Sequence, residues 1–141
     1  MAIFQFFRLD CDEKRLFFEA AYETLSVRIM TTFRSARKYT SRLGQPWVET
    51  EESDTEHKEK VLQIKAAVSR CRHLIWARKC LVESIAAKRM LDRRKIPSTL
   101  YLGVAKNNKG KLSAHAWIRS GNIWVAGNRN RHKFTVVGFF S

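Results

Sequence analysis

Negative charge is scarce in this chain. Thirteen Asp and Glu stand against 27 Lys and Arg in 141 residues, a formal net charge of +14 with a sequence pI near 10.3. Such a balance attracts polyanions, whether nucleic acid, an anionic membrane or an acidic partner, and for any one residue it is also what a solvated surface looks like. Cysteine is scarce too. Cys11, Cys71 and Cys80 are irregularly spaced and form no CxxC pair, which excludes a disulfide framework and a zinc site built on cysteines. In a reducing compartment all three are free thiols. Long apolar runs are missing, the longest being a few residues such as Leu16-Phe17-Phe18, so no helix is expected to span a bilayer. Met1 to Arg8 is aromatic-rich but has neither a basic leader nor a small-residue cleavage site; no secretory signal is expected, and a cytoplasmic location is. No repeat and no low-complexity segment appears.

What is present is the composition of a soluble globular protein, 45% hydrophobic and 28% charged, and 141 residues suffice for one domain with a single core. Asp10-Cys11-Asp12-Glu13 reads as a helix start with Asp10 as cap. Leu16, Phe17, Ala20, Ala21, Thr24 and Val27 then recur at helical spacing to about Met30. Leu43-Gly44-Gln45-Pro46 is a break, and the acidic stretch Glu49–Glu59 reads as a linker. A second helix is predicted with Ser53 as cap and Glu56 at its third position, carrying Val61, Leu62, Ile64 and Val68 to about Cys71. The segment Arg72–Arg78 fits either a loop or the end of that helix. A third helix is predicted from Lys79-Cys80 to about Arg94. Leu81, Val82, Ile85, Ala86, Met90 and Leu91 mark its buried face, Lys88, Arg89, Arg93 and Arg94 its wet one, and Pro97 its stop.

Beyond Pro97 the period changes to that of strands: Thr99–Val104, Leu112–Arg119, Ile123–Ala126 and Phe134–Phe140, with turns at Asn107–Gly110 and Ser120–Asn122. The expected fold class is α+β, N-terminal helices followed by a four-stranded antiparallel meander. The chain is expected to form a single domain, 1–141, with a helical part at 1–72 and a catalytic core at 73–141.

Two residues stand out chemically. Cys80 opens a predicted helix, where backbone N–H groups, the helix dipole and the neighbouring Lys79 and Arg78 favour a thiolate; a structural cysteine is the plainer alternative. His115 lies mid-strand between Ala114 and Ala116, which leaves room beside its ring; a core histidine with one hydrogen bond is the plainer alternative there. Taken together, a helix-start cysteine followed by a sheet with one inward histidine makes the thiol–imidazole pair of covalent catalysis.

At this point the sequence resembles a known family. The ordered set Lys79-Cys80-Leu81-Val82-Glu83-Ser84-Ile85-Ala86, then Leu100-Tyr101-Leu102-Gly103-Val104, then Ala114-His115-Ala116-Trp117, closed by Phe134-Thr135-Val136-Val137, resembles the leader peptidases of lasso-peptide biosynthesis, cysteine proteases of the transglutaminase-like superfamily. The resemblance covers residues 74–141 most strongly. It implies a papain-like or transglutaminase-like core and removal of the leader from a ribosomally made precursor peptide. It further implies dependence on a small, separate leader-recognition protein and delivery of the core to an ATP-dependent macrolactam synthetase, with no cofactor and no metal. It also implies a Cys-His-Asp triad, whose first two positions match Cys80 and His115.

The third position departs from that pattern. No carboxylate occurs between His115 and the C-terminus. Asn128 is the nearest candidate, since an amide oxygen can orient an imidazole. A backbone carbonyl or a water would serve as well, and an Asn in Asn128-Arg129-Asn130 is also a plain turn residue. Two other functions remain open: an acyltransferase or transglutaminase using the same pair, and a non-catalytic nucleic-acid-binding module. Against the latter, basic residues are interleaved with acids and no recognised nucleic-acid motif appears, so nucleic acid is not the expected partner. The excess charge is expected to dock an acidic partner through Arg34, Arg37 and Lys38 and through Lys88, Arg89, Arg93 and Arg94.

Overall fold

The computed structural model describes residues 3–33, 38, 40–51, 56–77 and 79–141. Within them the fold is α+β: four helices and then a four-stranded antiparallel sheet. Helix α1 (Ile3–Phe7) is one turn that the composition did not announce; it is held where Phe6 meets Phe17 and Phe18 edge-on, at centroid distances of 5.3 and 5.8 Å. Helix α2 (Cys11–Phe33) begins as expected, with a reciprocal cap. The N–H of Glu13 donates to Asp10 Oδ1 at 2.7 Å and the N–H of Asp10 donates to Glu13 Oε2 at 3.2 Å. Helix α3 (Lys58–Cys71) starts after His57 without a side-chain cap, and Ser53 lies outside the described residues. The ambiguous segment after it becomes a short 3-10 turn, Ile75–Ala77, leading into helix α4 (Cys80–Arg93).

Strands β1 (Thr99–Lys106), β2 (Leu112–Ser120), β3 (Ile123–Ala126) and β4 (Thr135–Phe140) follow. Their order is β3-β2-β1-β4, so the predicted meander is corrected at its last step: β4 does not pair with β3 but crosses to the far side of β1. The crossing segment, 127–134, therefore traverses the sheet. The outer edge of β4 is covered near its end by residues from the break before the expected linker. Trp47 N–H donates to the Phe139 carbonyl, and Gln45 and Ser141 exchange backbone bonds. Glu49–Glu51 is not a free linker either. It docks on Arg119, a fully buried side chain that donates to the carbonyls of Thr50 and Gly121 and to the Tyr101 hydroxyl, and pairs with Glu49. A buried guanidinium has five donors to satisfy, and this segment supplies much of what they need.

One apolar core joins Leu16, Ala20 and Val27 of α2, Val61, Ile64 and Val68 of α3, Val82, Ile85, Met90 and Leu91 of α4, and Leu100 and Ile118 of the sheet. Each such Val, Leu, Ile or Met side chain contributes roughly 1.5–3 kcal/mol on burial. Side chains alternate across a strand, so Tyr101, Gly103, His115 and Trp117 share the face opposite Leu100, Ala116 and Ile118, and the histidine expected to face inward stands on the side away from the apolar core.

The face of α4 assigned to solvent is corrected as well. Lys88 is buried and pairs with Asp92 at 2.7 Å; Arg89 reaches Glu23; Arg93 pairs with Glu19 and Glu23; Arg94 pairs with Glu19 at 2.6 Å. The three arginines fasten α4 to α2, while the Lys88 pair stays within α4. The period of α4 exposes them correctly to one side, but that side is occupied by the acids of α2, which no single-helix pattern reports. Arg34 and Arg37 lie outside the described residues, and Lys38 is exposed.

Candidate active site

Cys80 is the first residue of α4 and is half-buried. Lys79, in extended conformation before it, provides no side-chain cap. The helix hydrogen bonds begin at Glu83 N–H, which donates to the Lys79 carbonyl at 3.0 Å. The backbone N–H groups of Cys80, Leu81 and Val82 are thus the unsatisfied donors every helix start carries, gathered around one thiol.

His115 sits on β2 opposite Gly103 of β1. The ring stacks on Phe134 at 4.8 Å and 27°, and lies against Trp117 at 5.7 Å and 29°. The room for this comes from a different place than the flanking alanines. Ala114 and Ala116 point to the other face of the sheet, whereas Gly103 lies beneath the rings. A Cβ at Gly103 would stand 2.7 Å from the Trp117 ring and 2.9 Å from the Phe134 Cβ.

Before Ile118, where His115 sits, β2 has no strand paired to it on the β3 side, and the crossing segment begins there. His115 Nε2 lies 2.7 Å from the Gly127 carbonyl oxygen. A carbonyl only accepts, so Nε2 carries the proton and Nδ1 is left as the basic nitrogen. Gly127 has φ +72°, and a Cβ there would meet the Ala116 carbonyl at 2.0 Å, so this close approach requires glycine.

Cys80 and His115 line two cavities in common. One, of about 200 Å³, is walled by Leu81, Leu102, Gly103, Val104, Ala114 and Val137; the other, of about 310 Å³, is walled by Arg72, Glu83, Gly127 and Arg129. Neither cavity brings the thiol and the imidazole into a hydrogen bond in this state, and Cys80 Sγ is free of hydrogen-bond partners among the described residues. In resting enzymes the catalytic hydrogen bond of such a pair is often long or poorly aligned.

Of the three orienting groups open from the sequence, a backbone carbonyl holds His115. Asn128, next in the chain, is exposed, and its Oδ1 accepts from Arg131 Nε at 2.7 Å. Arg131 in turn lies 4.1 Å over the Trp124 ring. A carboxylate does approach the pair, from an unexpected direction. Glu83, one turn after Cys80 on α4, is buried and takes Arg72 Nε and Nη2 on its two oxygens at 3.1 and 3.2 Å. Burial pushes the Glu83 carboxyl up; Arg72 beside it and the more distant His115 pull it the other way. Glu83 lies upstream of His115, outside the stretch where the family pattern places its carboxylate, and its spacing of three from Cys80 is its one mark in the sequence.

The remaining candidates fall away from this centre. Cys71 is fully buried, its thiol is 3.7 Å from the Phe17 carbonyl, and burial, reinforced by the charge of Glu83, pushes it up to about 12. Cys11 is exposed at the start of α2. His57, His73 and His132 are exposed and line neither cavity. Ser84 is buried, and its hydroxyl has no hydrogen-bond partner among the described residues. Among the described residues no three His, Cys, Asp or Glu converge as a metal would require, and no helix is long and apolar enough to cross a membrane.

The family model for the transglutaminase-like superfamily matches residues 24–138, which takes in the C-terminal part of α2, all of α3 and α4, and nearly the whole sheet. No match was found among curated proteins, and none among solved structures.

Proposed function

The chain belongs to the transglutaminase-like superfamily, and within it we propose a cysteine peptidase that removes the leader from a ribosomally made lasso-peptide precursor. The observation that carries this reading is the sharing of two cavities by a helix-start thiol and an imidazole whose Nε2 is tied to a backbone carbonyl. In the proposed step Nδ1 of His115 takes the Cys80 proton as sulfur attacks the scissile carbonyl. The free N–H groups at the start of α4 receive the oxyanion, and the imidazolium returns its proton to the leaving amine. Water then releases the acyl group by the same route. Asn128 contributes to loop shape through Arg131, while Gly127 holds the imidazole.

The proposed partners are a small leader-recognition protein and an ATP-dependent macrolactam synthetase that consumes the freed core. What supports a protein partner is α2. It packs Leu16, Ala20 and Val27 inward, yet leaves Phe18, Tyr22, Leu25, Ile29 and Phe33 exposed at helical spacing. A helix apolar on opposite sides is normally covered on both.

The test is to incubate the precursor with this chain and the leader-recognition protein and weigh the products. Hydrolysis gives two fragments whose masses sum to the precursor plus one water, and Cys80→Ala gives none while Cys71→Ala and Cys11→Ala still cut. A precursor joined to an added amine would instead make the chain an acyltransferase on the same pair. An intact precursor under all conditions would remove the peptidase assignment.

A further inference from the structure

The excess positive charge of this chain is not spread evenly. The arginines of α4 are neutralised by Glu19 and Glu23, and Arg119 by Glu49 and backbone carbonyls. From Arg93 to Ser141, however, the sequence contains no Asp or Glu at all. At the β1–β2 hairpin a groove of about 540 Å³ is lined by Lys106, Lys109 and Lys133, all exposed, together with Asn107, Asn108 and Phe134. Phe134 is also the ring stacked on His115, so one ring separates this groove from the imidazole. On the other side, the 310 Å³ cavity of Cys80 and His115 is walled by Arg72 and Arg129. Among the described residues, Lys106, Lys109, Lys133 and Arg129 pair with no carboxylate. Glu83, the one acid along these walls, is buried and already engaged by Arg72.

We propose that the substrate is an acidic peptide, its carboxylates held by Lys106, Lys109 and Lys133 on one side of the Cys80–His115 pair and by Arg129 on the other. This rests on the peptidase reading and adds its substrate class. Cations gathered without counter-ions repel one another, and a ligand that brings negative charge relieves that repulsion and is steered to the site. A nucleic acid would supply charge too, but strand binding relies on aromatic platforms for its bases. The groove's one aromatic ring, Phe134, already has a face against His115. Carboxylates on an extended peptide need no such platform.

The experiment uses the full chain carrying Cys80→Ala, so that nothing is cut. The probes are a fluorescein-labelled Glu-rich peptide, the same peptide with Gln for Glu, and a single-stranded DNA of equal charge, each followed by anisotropy across a salt series. The Glu peptide is expected to bind best, with an affinity that falls as salt rises. Joint reversal of Lys106, Lys109 and Lys133 to Glu is expected to weaken it about tenfold or more, whereas joint reversal of Lys58, Lys60 and Lys65 on α3, outside both cavities, is expected to weaken it less than about threefold. Equal losses from the two triple reversals would reduce the effect to net charge and overturn the proposal. Tighter binding of the DNA, lost with the same three lysines, would overturn it in favour of nucleic acid. Groove-dependent binding of the Glu peptide supports the proposal even if the wild-type chain cuts no precursor; cleavage of precursors with no preference for acidic flanks would leave the peptidase standing and sink the proposal.

Discussion

At the scale of single residues, the site depends on groups that hold other groups. His115 is useful because Gly127 presents a carbonyl to its Nε2 and because Gly103 leaves space for the rings that pack it. His115→Ala is therefore expected to cost nearly as much cleavage as Cys80→Ala, since the two act as one unit. Asn128→Ala is expected to cost less than about tenfold, roughly 1.4 kcal/mol of transition-state stabilisation, because its amide is spent on Arg131. Steady-state cleavage by the three variants checks this, and a loss in Asn128→Ala equal to that in His115→Ala would make the amide the orienting group. The positions of Cys80 and His115 could be read from residue order: a cysteine just ahead of an apolar helical period, and a lone histidine in a strand-like run. The carbonyl could not. A backbone oxygen leaves no mark in sequence beyond Gly127 itself, and Glu83 hid inside a helix whose period had already been accounted for.

At the scale of elements, most of the helices and all four strands were legible, and their periods show why. Capping by Asp10 and Glu13 fixed the start of α2, and Pro97 fixed the change from helix to sheet. What the periods could not give was the pairing of elements. The Arg-rich side of α4 faces acids on α2, and β4 crosses to β1, both being contacts distant in sequence. The same limit applies to the outer stripe of α2, which reads as core by spacing and stands exposed. Tyr22→Glu with Ile29→Glu is expected to leave stability within about 0.5 kcal/mol, as both side chains are already in solvent. The pair is expected to weaken binding of the leader-recognition protein about tenfold or more, as loss of an interface anchor does. Titration calorimetry with that protein decides it, and unchanged affinity would assign the stripe to something else.

At the scale of the whole molecule, one apolar core carries a helix start and a sheet edge to the same pair of cavities, with Arg129 on the wall of one and three unpaired lysines in the neighbouring groove. The three cysteines allow this arrangement to be tested without a substrate, because they differ in exposure in a way that opposes their expected chemistry. Cys11 is exposed, Cys80 is half-buried and Cys71 is fully buried. Accessibility alone ranks Cys11 first in reaction with a small alkylating agent. The measurement is limited labelling of the native chain with iodoacetamide, followed by mass spectrometry of the cysteine peptides, in the wild type and in His115→Ala. A nucleophile paired with its base gives Cys80 first, Cys11 well behind and Cys71 unlabelled, with the advantage of Cys80 lost in His115→Ala. Labelling led by Cys11 in both proteins, or a Cys80 rate indifferent to the loss of His115, would contradict the pairing on which the proposed activity stands.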